Sequence, residues 1–168
     1  MALRDAVQLS STTHDYTGGT GANGIDGDFA TAQTVTGSGQ NGSATSTVIA
    51  THTFGSAKKI EKTTYKLRSY TSNTGNAPLS RTHTETIEYL IGGSWTTVYS
   101  YSFSSPSEGT KDNDPGAVSY STSTANVSAV KATVTTYCLA GDGGYTATSY
   151  IYEVQSFYTI KKSYAGYY

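Results

Sequence analysis

Residues 18–31 read GGTGANGIDGDFAT, and two incompatible folds can be drawn from them. Gly19, Gly21 and Gly24 carry the G-x-G-x-x-G spacing of a dinucleotide-binding turn, which needs a buried strand before it and a helix after it. His14-Asp15-Tyr16-Thr17 is no apolar strand, and Gly27 would break a helix in its first turn. With 18 glycines in 168 residues the spacing arises easily by chance. The nucleotide reading fails, and the α/β fold fails with it. Asp26-Gly27-Asp28 is better read as an oxygen-rich loop, the donor type that hard cations take, with the glycine letting carbonyls converge. Phe-Ala-Thr follows Asp28, so the further ligands of an EF-hand are missing, and an Asx-turn at Asp26 needs no ion.

Composition points the same way. Leu, Ile, Val and Phe supply only 26 of 168 residues, a level that goes with disorder when the net charge is large. The net charge here is −1, and fifteen tyrosines supply the missing apolar area. Thr, Ser, Tyr and Val favour extended chain. The expectation is one all-β domain over residues 1–168, an antiparallel β-sandwich of jelly-roll type, with a Tyr-rich tail at 161–168. The balanced charge predicts no nucleic-acid or membrane partner. Cys138 has no partner cysteine in the chain and sits in a strand-like run, so it is expected to be a buried small hydrophobe. Residues 1–5, MALRD, do not open a secretory signal.

Strand-like runs fall at 47–54, 58–70, 82–91, 95–103, 117–122, 127–139 and 145–160, with a Gly/Ser loop at 36–46. The clearest hairpin surrounds Gly92-Gly93-Ser94. A two-residue turn would pair Ile91 with Ser94 and Leu90 with Trp95. A three-residue loop pairs Ile91 with Trp95 and collects Ile87, Tyr89, Ile91, Trp95 and Tyr99 on one face, so the three-residue loop is expected.

Several segments together resemble a known family. Residues 22–31, ANGIDGDFAT, resemble the signature A-x-x-x-DG-(D/N)-x-x-T of discoidin-like, coagulation-factor C-type jelly rolls in the galactose-binding-like group. Ser10-Ser11 precedes it, Thr53-Phe54-Gly55 resembles a strand ending in Leu-Gly, and Ile87 through Val98 resembles a hairpin with a Trp. Ile151-Tyr152-Glu153-Val154 resembles the final strand. The chain departs from the pattern at Gln33, where a Trp is usual, and at Gly92-Gly93, where Asp-Gly is usual. The resemblance implies a structural calcium at Asp26, Asp28, Thr31 and Glu153, clamping the loop to the last strand.

No catalytic set stands out. His14, His52 and His83 lack a G-x-S-x-G context, His52 and His83 read as surface or satisfied positions, and the acids sit mostly at turns. The chain is expected not to be an enzyme. The leading expectation is a structural protein of a larger assembly, a tailed-phage decoration or tail component, located in a virion or at the cell exterior. Other subunits would be its partners, as a homo-oligomer, through Tyr164, Tyr167 and Tyr168 in the tail. The alternative is a carbohydrate-binding module for cell-surface glycans, with Tyr16, Asn76, Arg81, His83 and Tyr145 as ligand contacts.

Overall fold

The computed structural model describes residues 6–8, 13–17, 30, 32–40, 42–73, 80–106, 111–139 and 143–159. The Thr/Ser/Tyr/Val-rich runs become nine antiparallel strands, with no helix among the described residues. They are β1 Ala6–Gln8, β2 Thr13–Thr17, β3 Gln33–Gln40, β4 Ser43–Asn73, β5 Ser80–Ile91, β6 Ser94–Pro106, β7 Lys111–Asn113, β8 Val118–Leu139 and β9 Gly144–Thr159. At 31 residues, β4 would reach about 100 Å if straight, several times the radius of a domain this size. It bends instead. Its register with β8 shifts three times between Thr53 and Lys62, and β8 turns opposite this corner, where Asn126 takes a positive φ of 61°.

The two bends make the sandwich. One sheet runs β2, first half of β4, second half of β8, β5 and β6. The other places β3 and β1 on one side of β9, then the second half of β4, with the first half of β8 and β7 on the far edge. Between the sheets lie Val48, Ile60, Leu67, Ile87, Tyr89, Val134 and Ile151, all fully buried. The tyrosines do supply core area. Tyr89 is wholly inside, its hydroxyl 2.7 Å from Thr63 Oγ1, which in turn meets Ser156 Oγ at 3.1 Å. Tyr65 is buried too, its ring 5.0 Å from that of Tyr99.

Three sequence expectations need correction. The pairs of runs 47–54 with 58–70, and 117–122 with 127–139, are single bent strands, because the Gly55-Ser56-Ala57 signal marks a bulged corner within a ladder rather than a loop. Much of the expected Gly/Ser loop is strand, namely β3 and the start of β4. Its glycines serve close packing. A Cβ at Gly37 would stand 2.7 Å from the Thr45 carbonyl oxygen, and one at Gly39 would overlap the Tyr145 phenol. The hairpin turns on two residues, not three: Gly92 and Gly93 have φ of 59° and 85°, the type I′ geometry that glycine pairs favour. Ile91 pairs with Ser94 and Leu90 with Trp95, which leaves Trp95 outside and 38% exposed. A bulge then reverses the parity, so that Tyr99 pairs with Ile87 and faces inward as expected.

Cys138 is fully buried, as its run suggested, and burial pushes its thiol pKa up.

Candidate functional site

Along β5 the inward positions are Arg81, His83, Glu85, Ile87 and Tyr89, all at most 3% exposed. One strand thus crosses from charged to apolar chemistry without leaving the interior. His83 and Glu85 are joined at 2.7 Å, Nε2 to Oε1. A carboxylate only accepts, so Nε2 carries the proton of this bond, and in the neutral ring Nδ1 is the acceptor. That nitrogen is buried and has no hydrogen-bond partner among the described residues.

Beside it, at the open edge between the sheets, lies a cavity of about 80 Å³. Ser69 and Thr71 of β4 line it from one sheet together with Asn113 of β7, and Arg81 and His83 of β5 with Phe103 of β6 line it from the other. Register explains the meeting: Asn113 pairs with Ser69 and His83 with Phe103. Three buried polar atoms on its wall have no partner among the described residues, namely Thr71 Oγ1, His83 Nδ1 and Asn113 Nδ2. Folded proteins satisfy nearly all such groups, so three on one wall require an explanation.

The rear of this end is, by contrast, closed. Ser149 Oγ reaches Ser46 Oγ at 2.9 Å and Thr136 Oγ1 at 2.8 Å, and donates to the Ser46 carbonyl at 3.0 Å, stitching the sheets together. At the mouth Phe103 is 37% exposed, and two residues before it on β6 Tyr101 is 39% exposed, its ring 6.1 Å from that of His83. Asp112 also lies at the mouth, fixed by two bonds from Arg68 at 2.7 and 2.5 Å. Asp112, with the Tyr152 hydroxyl, holds the Arg68 pKa above its ordinary value, and the pair anchors short β7 to β4. The wall offers an amide donor, an imidazole acceptor and a hydroxyl able to do either, beside aromatic edges. That set suits a small polyhydroxylated ring.

Of the ligand residues expected from sequence, Arg81 and His83 are brought together here, and both are buried. Tyr145 is buried in a separate small cluster with Ala44, Cys138 and Ala147. Tyr16 stands on β2, at the opposite edge of its sheet from β6. Asn76 lies outside the described residues, as do Asp26, Asp28 and Thr31 of the expected calcium set and Tyr164, Tyr167 and Tyr168 of the expected interface. Glu153 is fully buried in β9, with Lys66 as its partner in the ladder. Among the described residues no three His, Cys, Asp or Glu side chains gather as a metal site. His52 is buried as well. Sequence reading passed over Thr71, Tyr101 and Phe103, and took Asn113 as part of an exposed turn at 112–116 rather than as a ligand contact. The alternation Tyr99-Ser100-Tyr101-Ser102-Phe103 was the available signal, an aromatic row on one side of a strand.

No family model and no curated protein sequence matches the chain. Solved structures do. A truncated AlyQ with CBM32 and alginate lyase domains aligns over 95% of this chain, at 20% identity and a TM-score of 0.51. The fold is an antiparallel β-sandwich of jelly-roll type, which this chain shares. The chain spans 35% of that two-domain protein. The CBM32 of AlyQ in complex with 4,5-unsaturated mannuronic acid aligns over 91% of this chain and 99% of its own, at 20% identity and TM-score 0.43. The family 32 CBM of C. perfringens NanJ in complex with galactose aligns over 86% and 92%, at 17% identity and TM-score 0.43.

Proposed function

We propose that this domain is a non-catalytic carbohydrate-binding module, and that a sugar ring sits in the cavity bounded by Thr71, Arg81, His83, Phe103 and Asn113. One observation carries the reading: three buried polar atoms of complementary hydrogen-bonding type, unpartnered among the described residues, converge on one small cavity beside exposed aromatic rings. In this role Asn113 donates to a sugar hydroxyl, His83 Nδ1 accepts from one, Thr71 bridges, and Phe103 packs on the C–H face of the ring. The jelly-roll fold is consistent with this reading and does not by itself establish it. The phage-assembly expectation gains no support from these neighbours, and the tyrosines it rested on lie outside the described residues.

Calorimetric titration against a panel of neutral mono- and oligosaccharides tests the proposal. At least one sugar is expected to bind, with His83→Ala and Phe103→Ala each weakening it about 10-fold, near 1.4 kcal/mol. A panel without a ligand, or a ligand indifferent to both changes, overturns the assignment. A structural calcium held by Asp26, Asp28, Thr31 and Glu153 is a second part of the proposal. Millimolar calcium is expected to raise the melting temperature over that in chelator, and Asp26→Asn to remove the rise.

A further inference from the structure

Five cation–ring contacts occur among the described residues, where a chain of this length would show about two. Four of the five share one pair of neighbouring strands. Every cation comes from β4 and every ring from β9: Lys58 over Tyr158 at 5.1 Å, Lys62 over Phe157 at 5.2 Å, Lys66 over Tyr152 at 4.1 Å and Arg68 over Tyr150 at 5.0 Å. On β4, Thr63, Tyr65, Leu67 and Ser69 point inward and are buried, so Lys62, Lys66 and Arg68 stand on the outer face of the second sheet.

The charge on this strand pair is unbalanced. Between Lys58 and Arg68, β4 carries five cations and one carboxylate, Glu61, which Lys59 holds at 2.9 Å, while Asp112 of β7 holds Arg68. Among the described residues no carboxylate pairs with Lys58 or Lys62. A chain of net charge −1 therefore concentrates fixed positive charge along one strand. Fixing matters, because a lysine already packed on a ring gives up less rotamer freedom when an anion arrives.

We infer that this β4–β9 face is a second binding surface, separate from the cavity, for a linear anionic polysaccharide bearing carboxylates or sulfates along its length. The row of cations is extended, as the ligand would be, and the outer positions beside it are the hydroxyls of Thr64, Ser72 and Thr146. Nucleic acid fits less well. Single-stranded binding needs open ring faces for bases, and here Tyr150 and Tyr152 stack on each other at 6.1 Å beneath cations.

The test uses the whole chain in affinity electrophoresis and titration with polygalacturonate, dextran sulfate, uncharged dextran and oligo-deoxythymidylate. Polygalacturonate or dextran sulfate is expected to bind and dextran not, the preferred one of the two identifying the anionic group. Replacing Lys58, Lys62 and Lys66 together by Gln is expected to weaken binding at least about 10-fold and to lower the salt slope by up to about one per lysine. The Arg triple is expected to keep it. Arg68 is left unchanged because its ion pair with Asp112 reaches the cavity mouth. Near-ultraviolet circular dichroism verifies that the Gln triple is folded. A folded Gln triple that binds like the parent overturns the inference, as does tighter binding of oligo-deoxythymidylate than of either acidic polysaccharide.

Discussion

The two ends of the sandwich interior are chemically opposite. At one end Ile60, Ile87, Tyr89, Val127 and Val154 fill the space between the sheets, and the one long polar run, from Tyr89 through Thr63 to Ser156, is closed on itself. At the other, Arg81, His83, Thr71 and Asn113 surround a cavity and leave three polar atoms open. Strand β5 belongs to both, changing character between Glu85 and Ile87. A domain held together only for stability would fill both ends alike. The apolar end holds the fold, and under the function proposed above the polar end is left incomplete for a ligand.

The largest expected effect breaks the apolar end. Ile87 is fully buried and packs in the main core cluster, so Ile87→Ala should lower stability by about 2–5 kcal/mol in urea unfolding. Sugar affinity of the folded fraction should stay unchanged. A parallel loss of affinity would mean that the two ends are not independent.

This division was only half legible in sequence. The antiparallel class was readable because Thr, Tyr and Val recur at strand spacing, and the ordered short motifs gave the jelly roll. The span of β4 and β8 was not, because a corner such as Gly55-Ser56-Ala57 looks like a loop until both of its arms pair with the same neighbour. The hairpin was misjudged because a single added residue after Trp95 reverses which side chains face inward, and propensity carries no mark of such a bulge. At the cavity, Arg81 and His83 drew notice as polar residues near a loop or hairpin end. Thr71 did not, nor did Asn113 as a ligand contact, since an ordinary Thr and Asn gain meaning only through the register that sets β7 beside Ser69.

The second effect concerns the buried tyrosines of the apolar end. Desolvation raises the hydroxyl pKa of Tyr65 and of Tyr89 above the ordinary value of 10.0. Below pH 10 both states keep the proton and the contribution is intact. Above it the unfolded chain loses protons that the native chain retains, so stability falls as pH rises. The fall is about 1.4 kcal/mol per pH unit for each tyrosine, until the raised native pKa is reached. Equilibrium unfolding between pH 9 and 11 should show this slope, and Tyr89→Phe should reduce it. A Tyr89→Phe variant with the parent's slope would mean that burial of this hydroxyl does not set it.

The smallest effect is the most discriminating. Thr71 is 4% exposed, and its hydroxyl has no hydrogen-bond partner among the described residues. Valine keeps its shape and removes that oxygen. In a purely structural end, such a change would cost a hydrogen bond. In an end left open for a ligand, it relieves an uncompensated burial, so Thr71→Val should raise stability by up to about 1 kcal/mol. The same variant should weaken sugar binding about 5- to 10-fold, because the oxygen is satisfied only in the complex. Opposite signs in the two measurements are the signature of stability given up for binding. Loss of both together would place Thr71 in a closed network like that of Thr63, and the contrast between the ends would collapse at this residue.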